Sequence, residues 1–351
     1  MRDKQKDCLI GLMRKKLLDL FCGAGGFTLG FQNLGKFEVI GAIDNCYDVS
    51  LTYQHNFPDT IFLEEDIHEL HAIDVVERIE AVPEVIIASP PCEPYTSANT
   101  YRQKDSLSRL YDDEVGRLVL DTIRIIGDIH PELFVVENVP ELLLGELEWA
   151  LHREFKRVGY EEIYCNILYA QDYGTPSART RLFISNLKIE PPKSLNQVKV
   201  QEVVNLPEPT AFHDFLNHQW YPISPKKMKK MRNLKQGNAM VYYRSATAKT
   251  FTNWVRLSPN SLAPPVIGHS RFIHPLEERV LTVRENARLM GFPDNFQFFG
   301  GIDAQYDMVG EAVPPPLSAA IANYCLKGFD AVITFRNKCE KVKNKCENCQ
   351  K

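Results

Sequence analysis

Short runs of continuous apolar residues alternate with helical patterns through the first half of the chain. Lys16-Leu17-Leu18-Asp19-Leu20-Phe21 reads as a buried strand, followed by glycines and a helix reaching Leu34. Phe37 to Ile43 reads as a second strand closing on Asp44, and Tyr47 to His55 as a second helix. Ile61-Phe62-Leu63 is a short third strand, and Val85-Ile86-Ile87-Ala88 a fourth, bounded by Pro83 and Pro90. A polar loop from Pro94 to Asp112 leads into a helix ending near Ile129, and Leu133-Phe134-Val135-Val136 is a fifth strand. Strands apolar along their whole length, separated by helices, are the pattern of a parallel sheet covered on both faces. The expected fold class is therefore α/β with a doubly wound sheet.

The pattern then breaks. From Pro191 to Pro275 prolines are frequent and alternation is poor apart from Ala239 to Tyr243, which reads as an inserted, loop-rich second domain. Regular structure resumes with a helix over Arg284 to Met290, stopped by Gly291 and Pro293, and a last helix from about Leu317 to Leu326. The expected division is a first domain over 1–186 continued by 276–335, a second over 187–275, and a polar tail over 336–351.

The chain has 351 residues, 44% of them apolar and 25% charged, a composition that buries a core and excludes wholesale disorder. No apolar run approaches the ~18 residues of a membrane span. Met1 to Leu20 lacks a signal-peptide core, and nine scattered cysteines without an export signal read as reduced thiols in a cytoplasm. Cys346-x-x-Cys349 has metal spacing, but with Cys339 it makes three cysteines without a clear fourth ligand, so no metal site is expected. The net charge of −4 excludes a uniformly basic coat. Leu187 to Leu257, however, holds twelve basic residues against four acidic ones, a net of +8 that leaves −12 on the rest. Lys226 to Lys235 is its densest part.

Candidate chemistry clusters at strand ends. Phe21-Cys22-Gly23-Ala24-Gly25-Gly26 sits where a strand turns into a helix, and glycines there let backbone approach a ligand. The dinucleotide fingerprint fails, because Thr28 stands where its last glycine would be. Asp44, 18 residues beyond Gly26, can accept hydrogen bonds from ribose hydroxyls, and Asp66-Ile67 can bracket an adenine edge. A tight turn and two helix N-caps would account for the same residues singly. Three such features at successive strand ends favour an adenosine-type cofactor. Further along, Ser89-Pro90-Pro91-Cys92-Glu93 places a cysteine at the end of the fourth strand, and Glu137-Asn138-Val139-Pro140 a glutamate at the end of the fifth. A cysteine and a glutamate facing one crevice suggest a nucleophile and a proton donor. Arg179 and Arg181 alternate just before Leu182-Phe183-Ile184, so both guanidiniums can point at one substrate.

These motifs, with Leu281 to Asp294 and Gly310-Glu311-Ala312-Val313-Pro314 after them, resemble the C5-cytosine-specific DNA methyltransferases of restriction-modification type, in the family's order and over nearly the whole chain. The resemblance implies a Rossmann-like methyltransferase sheet, S-adenosylmethionine as cofactor, and a target-recognition domain at 187–275. It implies that Cys92 attacks cytosine C6 and Glu137 protonates N3. Arg181 contacts O2 and Arg179 supports the catalytic loop. Phe21, Gly23, Gly25, Gly26, Asp44, Asp66, Ile67, Pro91, Leu118 and Glu311 would line the cofactor pocket. It also implies a cytoplasmic monomer acting on double-stranded DNA, away from membranes, with a cognate restriction endonuclease acting separately. An RNA methyltransferase on the same scaffold and an inactive DNA-binding regulator are the alternatives. The sequence departs from the family's pattern at Glu93, where Gln is usual, at Val115, Ser177 and Met308, and at Glu311, where Asn is usual. Arg244, Asn253 and Arg256 have the chemistry of base readers.

Overall fold

A computed structural model describes residues 14–194, 196–206, 216–244 and 250–329, so the tail cysteines lie outside it. Nine strands are described: β1 (Lys15–Leu20), β2 (Phe37–Asp44), β3 (Ile61–Glu64), β4 (Val85–Ala88), β5 (Leu133–Asn138), β6 (Tyr164–Tyr169), β7 (Thr180–Ser185), β8 (Ala239–Arg244) and β9 (Thr250–Val255). The first seven form one sheet in the order β3-β2-β1-β4-β5-β7-β6. Pairing is parallel from β3 across to β5. The all-parallel expectation fails at β7, which runs antiparallel to both β5 and β6. The crossover helix α6 (Leu147–Arg157) leads to edge strand β6, and the chain turns back through a short connection, as antiparallel neighbours can.

Alternation along the buried strands feeds two cores. Leu18, Leu20, Ile86, Ala88, Phe134 and Val136 face one, and Leu17, Val85, Ile87, Leu133 and Val135 the other. The first is covered by α3 (Ala72–Arg78), α4 (Ser106–Tyr111), α5 (Leu118–Ile129) and α6; the second by α1 (Gly26–Gln32) and a helical stretch over 315–329. This is the doubly wound arrangement. A third core joins α2 (Tyr47–Asn56) to α9 (Val283–Met290) and α10 (Ile302–Glu311). Thr282 and Glu285 cap α9 reciprocally, and Gly291 ends it in a left-handed turn, the stop that the sequence pattern predicts.

The segment from 187 to 275 is loop-rich, with α7 (Val200–Val203), α8 (Pro225–Arg232) and the β8–β9 hairpin as its regular parts. Met231, Trp254 and Ile273 form a small core with Val280 just beyond the segment. No helix among the described residues is long and apolar enough to cross a membrane. Strand order reverses direction between β1 and β4, and the crevice beyond their carboxyl ends is where sheet ligands bind.

Candidate active site

The loop after β1 is shaped by backbone that runs left-handed at Phe21, Gly23 and Gly25, with φ of 55°, 52° and 88°. Phe21 is not glycine, so it holds a conformation costing roughly 1–2 kcal/mol. A Cβ on Gly25 would meet the Phe57 ring at 2.2 Å, and one on Gly26 the Val313 carbonyl at 2.3 Å. A Cβ on Gly23 would meet nothing within 4 Å, so this glycine borders open space. Its amide donates to Asp44 Oδ2 at 3.0 Å, while Asp44 Oδ1 accepts from the Cys46 amide at 3.1 Å. Each oxygen keeps a further lone pair. Burial raises the Asp44 carboxyl and the amides pull it back. Open room beside Gly23 and an acid with unspent acceptor capacity suit the ribose of an adenosine cofactor.

Beneath this loop Asp19 is fully buried. Thr28 donates to its Oδ2 and shares a 2.7 Å hydrogen bond with the Tyr53 hydroxyl. Threonine at the expected glycine position thus anchors the loop from below. Asp19 Oδ1 has no partner, and burial pushes the carboxyl up to about 8, helped by the nearby Asp44 charge.

Cys92 follows β4 and Glu137 lies on β5, the next strand. The Asn138 side chain donates to the Pro90 carbonyl at 3.0 Å and fixes the Pro90-Pro91-Cys92 turn, with Pro91 half-buried within it. The Tyr95 and Thr96 amides, both 3.0 Å from the Cys92 carbonyl, close the turn on its far side. Glu137 is buried and pairs with Arg181 Nε at 2.8 Å. Burial raises its carboxyl, opposed by Arg181 and Arg179. Burial pushes the Cys92 thiol up to about 11; Arg181 and Arg179 lower it, and Glu93 and Glu137 raise it. The resting thiol is therefore protonated, and its ionisation is tied to the charge on Glu137.

Arg179 and Arg181 divide their work. Arg181 faces Glu137, whereas Arg179 is buried and donates to the carbonyls of Val266 at 2.6 Å, Gly310 at 2.7 Å and Glu311 at 3.3 Å. The expectation that both guanidiniums reach one substrate is corrected: Arg179 is a positioning group that ties β7 to the 266–268 loop and the end of α10. Burial, with Arg181 nearby, lowers its guanidinium to about 9.

The remaining residues frame the crevice. Asp66 is exposed and accepts from the His68 amide at 2.9 Å, the geometry of a turn. Ile67 is buried against the first core, and its carbonyl accepts from Arg124 at 3.0 Å. Leu118 is half-buried at the start of α5. Glu311 is exposed at the end of α10, yet partial desolvation and the carboxylates of Glu93, Asp307 and Asp44 push it up to about 7, against Arg179. The two departures Glu93 and Glu311 therefore face one another electrostatically.

Sequence reasoning missed Asn138, Asp19 and Tyr53. Only adjacency to the glutamate marked the first, and only chain folding brings the other two together. Two residues with base-reading chemistry serve the fold instead. Arg256 is buried on the carbonyls of Met231, His274 and Glu277, and Asn253 holds the amides of Trp254 and Arg271.

Residues 15–327 match the family model described as C-5 cytosine-specific DNA methylase. A protein of Methanocaldococcus jannaschii, provisionally named as type II methyltransferase M.MJ0563P, is 44% identical over 313 residues, covering 87% of this chain and 97% of that one. Type II methyltransferase M1.HphI of Haemophilus parahaemolyticus is 31% identical over 338 residues, covering 91% and 88%. Among solved structures, a provisionally named DNA modification methyltransferase encoded within an E. coli prophage superposes with a TM-score of 0.71 at 24% identity, covering 89% of this chain and 99% of that one. The S. pombe Dnmt2 methyltransferase does so with 0.64 at 16%, covering 90% and 100%. At those identities the structural likeness speaks for the fold. The family match extends over nearly all of the described sheet and both strand-end motifs, and the chain belongs to the C-5 cytosine-specific DNA methylase family.

Proposed function

We propose that this DNA cytosine-5 methyltransferase uses S-adenosylmethionine and works through Cys92, Glu137 and Arg181 on a cytosine turned out of the duplex. A stacked base hides C6, and flipping it costs a few kcal/mol. Gly23 and Asp44 would hold the adenosine end of the cofactor, with Phe21, Gly25, Gly26, Asp66, Ile67, Pro91, Leu118 and Glu311 around it. Cys92 Sγ, its proton released to solvent, adds to C6 while Glu137 places a proton on N3, so the electrons arriving from sulfur collect at C5. S-adenosylmethionine supplies the methyl group that C5 receives. Loss of the C5 proton to water then expels Sγ as the thiolate, and N3 returns its proton to Glu137, which restores the ring. A protonated Glu137 no longer raises the thiol's pKa, while Arg181 and Arg179 still lower it, so acid and nucleophile become competent together.

The observation that carries this reading is the buried Glu137–Arg181 pair at 2.8 Å beside Cys92, at the ends of adjacent strands. The test is labelled methyl transfer to duplex DNA and to RNA, alongside a duplex carrying 5-fluorocytosine, which cannot lose a C5 proton and traps the adduct. Methylation of DNA and a covalent adduct are expected from the native chain, and neither from Cys92→Ser. Transfer that survives Cys92→Ser would overturn the mechanism, and transfer to RNA alone would overturn the substrate. The named type II relatives support a modification role beside a separate endonuclease; we take the enzyme to act as a monomer. Base-resolution mapping of methylated sites gives the recognition sequence, and digestion of the modified DNA tests protection.

A further inference from the structure

Away from the crevice, α6 and the edge strand β6 bring three donor groups together. Glu148 and His152 are four apart on α6, so they stand one turn apart on the same side. Cys165 is the second residue of β6, and the metal-ligating atoms of all three lie within 4.8 Å of one another. Glu148 and His152 are exposed and Cys165 half-buried. None has a hydrogen-bond or ion-pair partner among the described residues. Their neighbours on the helix are engaged: Arg153 lies 4.6 Å from the Trp149 ring, and Glu154 accepts from Tyr111, Arg153 and Arg157. The buried stripe of Leu147, Ala150, Leu151 and Phe155 fixes which side of α6 meets the sheet and so aims Glu148 and His152 at the strand edge.

We propose that Glu148, His152 and Cys165 form a zinc-binding site that links α6 to the outer edge of the sheet. Imidazole nitrogen, thiolate sulfur and carboxylate oxygen are zinc's donor set; calcium and magnesium take oxygen ligands. Three protein ligands and a water complete a tetrahedron, whose ligand-to-ligand separations of about 3.4–3.6 Å follow from ordinary zinc bond lengths. The present atoms, all within 4.8 Å of one another, must draw closer to reach that spacing. On binding, the Cys165 S–H bond is replaced by S–Zn and the proton leaves to solvent. Cys165 pairs with Ile184, three residues along β6 from Leu168, the partner of Arg181. The ion would therefore hold the strand next to β7 without touching the reacting atoms. Spacings of 4 and 13 residues match no short metal motif, so a motif search along the chain passes over the site.

The test uses the full chain, stripped of metal and kept reduced, titrated with Co²⁺ as a spectroscopic stand-in for Zn²⁺. A thiolate-to-cobalt charge-transfer band with tetrahedral-strength visible absorption is expected at one ion per chain. Cys165→Ser should abolish the band, and His152→Ala should weaken Co²⁺ binding at least tenfold. The double variant Cys346→Ser, Cys349→Ser, which removes the tail thiols, should retain it. Zn²⁺ should raise the Tm of the native chain but not of Cys165→Ser. Methyl transfer by Cys165→Ser at the native rate would show that it is folded. A band that survives Cys165→Ser, or that disappears with the tail cysteines instead, would overturn the site.

Discussion

Asp19 lies fully buried under the glycine loop, with one carboxylate oxygen held by Thr28 and the other bare. A carboxyl raised from 3.8 to about 8 binds its proton more tightly in the folded chain than in the unfolded one. Its contribution to stability is complete below about pH 4 and is lost as the pH climbs towards about 8, a swing on the order of 5 kcal/mol. Asp19→Asn keeps the shape and the Thr28 contact but cannot ionise. It is expected to match the native chain near pH 4 and to exceed it by most of that swing at pH 8.5. Urea midpoints across that range decide the matter, and parallel curves for the two proteins would show that Asp19 is already ionised at neutral pH. The arginines show the limit of residue-level inference. Alternation into the start of β7 gave Arg179 and Arg181 one common direction, yet burial committed Arg179, just before the strand, to three carbonyls and left Arg181 on Glu137.

Gly310 shows how whole elements close the crevice. It lies in the last turn of α10, where a Cβ would come within 2.2 Å of the backbone at Ile267 and Gly268, and Arg179 clasps both sides of that contact. Gly310→Ala must push α10 off the 266–268 loop. The expected cost is about 1–3 kcal/mol of stability. Weaker S-adenosylmethionine binding should accompany it, because Glu311 moves with the helix. Denaturation midpoints and calorimetric titration measure the two effects, and native values in both would mean that the contact relaxes without consequence. At this scale the sequence was legible wherever burial was complete. The cores of β1, β2, β4 and β5 and the end of helix α9 stand where their apolar runs and the Gly291 stop put them. β6 went unread because an edge strand is buried only at Asn166 and Leu168, which leaves no continuous apolar run. The hand of β7 was equally hidden, since antiparallel direction is set by how α6 and the β6–β7 connection return the chain, and composition does not record that. The strand-end motifs named the reacting residues, but Asn138's grip on Pro90 and the Asp19–Thr28–Tyr53 network arise from contacts that only folding makes.

The whole molecule separates charge by region: +8 over 187–257 and −12 elsewhere. The structure gives that imbalance a shape. Met228 and Met231 seat α8 on the small core with Trp254, and Ser224 caps its start, so Lys226, Lys227, Lys229, Lys230 and Arg232 all remain exposed. Lys227 also stacks 4.1 Å from the centre of the Trp254 ring, so its charge is partly committed. A rigid helix presenting four further cations next to an acidic body is suited to phosphates on one side only, because the body repels the duplex elsewhere. Each phosphate contact releases counterions and steepens the salt dependence of binding by about 0.9 in logarithmic slope. Replacing Lys226, Lys229, Lys230 and Lys235 together by Gln should flatten that slope by up to about 3.6 while leaving cofactor binding intact. Dissociation constants for duplex DNA at several salt concentrations provide the measurement. An unchanged affinity and slope would place the DNA-gripping face away from α8. A flattened slope with a normal methylation rate at saturating DNA would separate the grip on phosphates from the chemistry at Cys92.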